Sequence, residues 1–298
     1  MPVALPWSHA LLALAVVAVW GTNFVVIRYA LDALPPLALA TLRFALAFLP
    51  AALWIPRPRV AWRQLAAYGV LIGVGQFGLL YLALRGAIAP GLASLVVQTQ
   101  VFFTIALAAL FEGERARRHQ LAALALALAG LAMIALGGEA TGGTPIGIAM
   151  VLGAALSWAG GNLVGRRAGR VDMLGYMVWS SAFAVPPLLV LSLLVEGPAA
   201  IRHGLDAAGL GTWAAVVWQA AGNTLFGYAA WGWLLARHPA ATIAPWALGV
   251  PVFGLASAAI VLHEPMPAWK LAASALVIGG LGIIVLWPRW RARLAGRF

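Results

Sequence analysis

Amide and hydroxyl side chains recur in matched pairs along a chain that is otherwise mostly hydrocarbon, and the chemistry open to them is hydrogen-bonded recognition of a small polar molecule. Gln76 and Asn223 carry amides that both donate and accept, while Tyr81 and Tyr228 join a flat apolar face to a hydroxyl. Asn23 and Asn162 repeat the theme inside "WGTNFVVIR" (20–28) and "AGGNLVGRR" (159–167). Gln219 precedes Asn223 by four residues, which puts both on one helical face. Gln98 and Gln100 are about 200° apart around a helix and cannot both face one cavity. Trp20, Trp158 and Trp246 lie away from the predicted span ends, suited to stacking on an apolar or aromatic group or to attracting an ammonium. A plainer reading stands beside these: Gly21, Gly160 and Gly161 let helices approach closely, the Asn amides bind helix to helix, and the indoles face core or lipid.

Covalent and metal chemistry find no support. "GVGQFG" (73–78) has the spacing of a dinucleotide-binding turn, but it sits inside an apolar run with no strand before it and no acidic ribose partner after it. The chain has no zinc-protease helix motif, nucleophile elbow or phosphate-loop lysine, and no cysteine. Its histidines, His9, His119, His203, His238 and His263, fall near predicted loops or span ends. No enzyme activity, cofactor or metal is expected.

The elements that position the polar pairs follow from composition. Of 298 residues, 63% are hydrophobic and 9% charged, a balance that places the chain in a lipid bilayer. About ten apolar runs are long enough to cross it, at roughly 8–29, 35–55, 64–85, 90–111, 119–137, 145–165, 173–195, 209–236, 240–262 and 268–287. The formal charge of +11 lies in clusters between the runs, not along one helix face, so orientation explains it better than nucleic acid. With the N-terminus cytoplasmic, the inner loops and tail hold Arg57, Arg59 and Arg63, Arg115, Arg117 and Arg118, Arg166, Arg167 and Arg170, Arg237, and the arginines of 289–298. Arg28, Arg85, Arg202 and Lys270 remain outside, which favours both termini in the cytoplasm.

The halves are copies. "LAALALALAGLAMIAL" (121–136) matches "LAASALVIGGLGIIVL" (271–286), and at the same spacing of 150 Glu114 falls on Glu264 and Phe103 on Phe253. "GQFGLLY" (75–81) aligns with "GNTLFGY" (222–228). Five spans per copy is an odd number, so the second must run upside down. The expected fold is an all-α integral membrane protein of about ten transmembrane helices in two inverted five-helix repeats, 1–138 and 145–288, followed by a basic tail at 289–298. Inverted repeats of this kind build alternating-access transporters with a site near the bilayer midplane.

Three features, the early "WGTN" with its echo, the "FEGE" (111–114) and "LHE" (262–264) span ends, and the Gly-containing helix closing each half, make the chain resemble the drug/metabolite transporter superfamily with two EamA-type repeats. Within it the chain looks most like bacterial amino acid exporters of the YddG kind. The family often has a Pro about 13 residues before the Glu; Pro251 fits, but the first half has Val101, which leaves a kink in the fourth span open. The resemblance implies export of amino acids, aromatic and other neutral ones, across the bacterial inner membrane. Other metabolites or amphiphilic drugs are the alternative cargo, and a channel or structural membrane protein the alternative class.

Two charged-residue observations refine this. No Asp or Glu lies deep in a span, unlike the small multidrug members of the superfamily, so carboxylate-gated proton antiport is disfavoured. Arg43 lies well inside the second span with Ala182 as its counterpart, and two readings stand: a contact to a substrate carboxylate, or a structural pairing with carbonyls or a helix end. Candidate substrate contacts are therefore Trp20, Asn23, Gln76, Tyr81, Gln98, Gln100, Trp158, Asn162, Gln219, Asn223, Tyr228 and Trp246. The expected partners are a small-molecule substrate and the lipid bilayer, with no preference as to oligomeric state.

Overall fold

Prolines at the ends of several apolar runs mark helix starts, whereas Pro186 and Pro187 lie inside the helix Met173–Val195. The computed structural model describes residues 5–113, 118–136 and 143–269, with scattered positions between 271 and 287. Six helices there are long and apolar enough to cross a membrane: Trp7–Ala30, Pro36–Leu53, Trp62–Leu84, Pro90–Glu112, Pro145–Arg167 and Met173–Val195, the first, second, third, fourth, sixth and seventh spans. The fifth is Arg118–Leu136, the eighth runs over 210–235 and the ninth over 240–261. Most of the expected tenth span, the tail 289–298 and Glu114 lie outside the described residues. Pro36, Pro90 and Pro145 each sit at the start of a helix, where a missing N–H costs no hydrogen bond. Asp172 opens the seventh span by accepting from the Leu174 and Gly175 N–H groups at 3.1 and 3.2 Å. Gly113 closes the fourth span at a φ of 68°, a left-handed turn that glycine adopts without strain.

Packing between spans is the same when the two halves are exchanged. The first span packs on the ninth and the sixth on the fourth; the eighth packs on the first and the third on the sixth. The second and seventh pack on each other, a contact that maps onto itself when the halves are exchanged. Small residues let these backbones meet. A Cβ on Gly21 would lie 2.5 Å from the Cβ of Phe253 and 2.6 Å from the Val250 carbonyl oxygen, and one on Gly161 would lie 2.5 Å from Ile72 Cδ1. Gly160 is different, since a Cβ there would make only ordinary contact with Leu71.

Irregular helix also appears in matching places. The third span widens to a π-helix over Val70–Gly78 and the eighth over Gln219–Tyr228. The fourth tightens to a 3-10 turn at Val97–Thr99 and the ninth at Ala244–Gly249. The interruption of the fourth span therefore forms without a proline, whereas in the ninth Pro251 begins the helix that resumes at Val250. A further element was not foreseen: a ten-residue helix, Pro198–Ala207, lies between the seventh and eighth spans. It is too short to register as a crossing run. Its Gly204 is buried where a Cβ would be 2.7 Å from Pro35 Cδ.

The span ends carry the ionic and polar fastenings. Glu196, at the end of the seventh span, accepts from the backbone N–H of Leu37 at 2.6 Å and of Ala38 at 3.0 Å, and from the Ser192 hydroxyl at 2.6 Å. Its carboxylate thus meets the unsatisfied donors and positive dipole end of the second span. Glu112 and Arg166 join the fourth and sixth spans at 2.5 Å. His9 Nδ1, at the start of the first span, lies 2.8 Å from Nε2 of His238 in the turn between the eighth and ninth. Burial, with His9 and Arg237 nearby, holds His238 below the ordinary histidine value. The corresponding place in the other half is held by bonds to a backbone carbonyl instead: Thr144 N–H and the Thr144 hydroxyl both donate to the Ala87 carbonyl, at 2.8 and 3.0 Å.

Replacing Glu196 by Ala strips the Leu37 and Ala38 N–H groups and the Ser192 hydroxyl of their acceptor, and the expected loss is about 1–2 kcal/mol. A lower thermal midpoint in detergent checks this, and an unchanged midpoint contradicts the capping role.

Candidate binding site between the two halves

Where the first, third, sixth and eighth spans meet, a small cavity is walled by aromatic rings and amides. Trp20, Phe24, Phe77, Trp158 and Tyr228 supply the rings; Asn23, Gln76 and Asn223 supply the amides. Trp20 is at the centre of the aromatic wall, with ring centroids 5.0 Å from Trp158, 4.9 Å from Tyr228 and 5.0 Å from Trp231. Its indole N–H donates to the Asn223 carbonyl at 3.3 Å and faces Gly227, where any side chain would collide with it. The cavity volume is about 30 Å³. That is room for a water or two, far below the roughly 300–1,000 Å³ of a ligand pocket. Any larger occupant requires the spans to part.

Two tyrosines tie the halves together reciprocally. Tyr228 in the eighth span donates to Gln76 Oε1 in the third at 2.9 Å, and Tyr81 in the third donates to Gln219 Oε1 in the eighth. The widened helical turns carry three of these four residues and adjoin the fourth. A π turn also lets Thr224 Oγ1 reach back five residues to the Gln219 carbonyl at 2.8 Å.

Behind this wall lies Arg43, wholly buried midway along the second span. Its Nε donates to Thr224 Oγ1 at 2.6 Å, one terminal nitrogen to the Tyr81 hydroxyl at 2.8 Å and the other to Asn223 Oδ1 at 2.5 Å. The Phe77 ring covers the guanidinium, with Cζ 3.6 Å from the ring centroid. Among the described residues no carboxylate lies within ion-pair distance of it. Of the structural pairings foreseen for Arg43, no helix end is found and a carbonyl is met only in the side-chain amide of Asn223; its other partners are the hydroxyls of Tyr81 and Thr224.

The two repeat asparagines take different parts. Asn162 Nδ2 donates to Thr104 Oγ1 at 3.1 Å and to Gln100 Oε1 at 3.3 Å, binding the sixth span to the fourth. At the corresponding positions 150 residues on stand Val250 and Gly254, which offer no side-chain partner. Asn23 Oδ1 is buried without a hydrogen-bond partner, and Asn23 lines the cavity.

Of the residues singled out from sequence, Trp20, Asn23, Gln76, Trp158, Asn223 and Tyr228 come together around the cavity. Tyr81 and Gln219 stand one layer back, in the Arg43 network. Gln100 and Asn162 bond to each other, and Gln98 donates to the Ser94 carbonyl of its own helix at 3.1 Å, so none of these three lines the cavity wall. Trp246 is buried in the ninth span but is likewise absent from that wall. Sequence reading passed over Phe77, Thr224 and Trp231, and it left Arg43 outside the candidates because the repeat does not preserve it.

Residues 7–136 and 145–286 each match the EamA-like transporter family. A Salmonella typhimurium protein described as a "Probable amino-acid metabolite efflux pump" is 41% identical, covering 96% of this chain and 98% of its own length. An Escherichia coli K12 protein with the same description is 40% identical over 95% of this chain and 97% of its own. A solved crystal structure superposes with a TM-score of 0.73 at 20% identity, covering 96% of this chain and 99% of that one, a likeness of fold alone.

The two asparagine networks differ in what their loss exposes. Asn162→Ala should cost about 1 kcal/mol, as for a hydrogen bond between spans. Asn223→Ala leaves a buried guanidinium N–H without its oxygen and should cost about 2–3 kcal/mol. Thermal midpoints of the two variants in detergent check this, and equal shifts contradict it.

Proposed function

The chain belongs to the EamA-like transporter family, and from that premise we propose that it exports neutral amino acids, aromatic ones among them, across the bacterial inner membrane by alternating access. The observation that carries this reading is the cavity between the halves: five aromatic rings facing amides, with an unpartnered acceptor at Asn23 Oδ1. An amino acid has an ammonium to give that acceptor and an apolar side chain to lay against the rings. The names of the two efflux-pump relatives support the same class of cargo. Rings and methyl groups discriminate weakly between apolar side chains, so selectivity should be broad.

Alternating access is supported by the exchangeable packing of the two halves. An exchange of roles between them gives a second arrangement of similar energy, open to the opposite side. Matched π and 3-10 segments border the cavity, and such irregular turns are places where a helix can bend. With a cavity this small, the conformation described is a contracted one, and loading requires separation of the first and third spans from the sixth and eighth. On this reading both termini face the cytoplasm. Among the described residues no Asp or Glu borders the cavity, which favours the cargo's own gradient over a carboxylate-borne proton as the drive for flux. An amphiphilic cation is a weaker candidate cargo, because Arg43 stands directly behind the wall.

Purified protein in liposomes should take up labelled phenylalanine or leucine saturably, with little response to an imposed pH gradient. Asn23→Ala should lower flux per folded molecule by about 10–150-fold, the worth of one buried hydrogen bond to a charged group. Asn162→Ala should change it less than about twofold, since its amide serves packing. Absence of saturable uptake contradicts the amino-acid reading, and strict dependence on the pH gradient contradicts the coupling argument.

A further inference from the structure

We infer that Arg43 is the carboxylate anchor of the binding site, with Asn223 holding its place until cargo arrives. The inference rests on the amino-acid reading and assigns the second pole of the zwitterion. Among the described residues, a guanidinium wholly buried in a span is met here only by neutral groups, the oxygens of Asn223, Tyr81 and Thr224 and the Phe77 and Phe44 rings. Those bonds satisfy its geometry without balancing its charge. An anion that reached it would gain both, and a carboxylate matches the planar fork of an arginine with two parallel hydrogen bonds.

The route is short. Asn223 and Phe77 each touch the guanidinium and each line the cavity, so a single layer of side chains separates the charge from the space where cargo enters. Asn223 Oδ1 occupies the position that one carboxylate oxygen would take. Rotation of that one amide opens the path, while Tyr81 and Thr224 keep their hold on the other nitrogens. Gln219 already gives its oxygen to Tyr81, and its Nε2 is buried without a partner, leaving a second donor in the same network.

The arrangement also has a direction. Arg43 has no counterpart in the second half, where Ala182 aligns with it, and Asn23 Oδ1 is the unpartnered acceptor on the first span. A zwitterion would therefore bind one way round, ammonium toward Asn23 and carboxylate toward Arg43. The rings between would take the side chain.

The test separates this role from a structural one by reading a ratio. In proteoliposomes of the full chain, uptake of labelled phenylalanine is competed with unlabelled phenylalanine, phenylalanine amide and phenethylamine. Wild type should prefer the acid to the amide or amine by about tenfold or more. Arg43→Gln, where it remains monodisperse, should bring that ratio close to one. Arg43→Lys should keep a preference for the acid, but a smaller one, because an ammonium is a point charge without the fork. A folded Arg43→Gln with slower uptake and an unchanged ratio would overturn the inference. If that variant fails to fold, wild type and Arg43→Lys decide: a wild-type ratio near one overturns it while leaving the amino-acid reading in place. No saturable uptake of any amino acid by wild type would remove the reading itself and the inference with it.

Discussion

A guanidinium buried inside a membrane span stays there only if oxygens come to it, and Arg43 collects its oxygens from two other spans. Burying an unpaired charge at the centre of a span costs about 2.5–3.5 kcal/mol even where the surroundings adapt. Thr224 and Asn223 from the eighth span, Tyr81 from the third and the face of Phe77 surround it. The second, third and eighth spans are thereby held at one depth. The hydroxyl of Tyr81 passes the constraint on to Gln219, and the carbonyl of Asn223 passes it to the indole of Trp20 in the first span. Three side chains of the cavity wall, Asn223, Phe77 and Trp20, are thus linked to one charge.

The rest of the architecture is a two-fold pattern from which the site departs at chosen points. Reciprocal tyrosine-to-amide bonds, paired π segments and exchangeable helix contacts all follow the duplication. Arg43 and Asn23 break it, the first because its counterpart is Ala182, the second because Val250 and Gly254 stand where Gln100 and Thr104 hold Asn162. On the proposed reading, symmetry serves the scaffold, since interchangeable halves are what two-sided access needs, and asymmetry serves recognition, since an amino acid has two different ends.

Much of this was legible in the sequence and some was not, for definable reasons. Paired polar residues in hydrocarbon revealed the duplication, and the duplication led to Gln76, Asn223 and Tyr228 at the cavity. The same logic set Arg43 aside, because a search for what is repeated discounts what is single. The different fates of Asn23 and Asn162 were readable from the spacing of 150, had the neighbours of each asparagine been compared as well as the asparagines. The π turns leave no mark in composition or periodicity, because one extra residue per turn looks like the same apolar run. Indoles were ranked by distance from span ends, a measure that found Trp20 and Trp158 but could not tell Trp246, buried away from the cavity, from Trp231, packed on Trp20.

The central claim is that one cavity between inverted halves serves both faces of the membrane. The chain has no cysteine, so a single one introduced in place of Leu80, in the cavity wall, can be followed without background. An impermeant thiol reagent would be applied to right-side-out and inside-out vesicles, with and without amino acid. The account predicts that the residue reacts from either side, at rates that cargo shifts in opposite senses. Reaction from one side alone under every condition would contradict it.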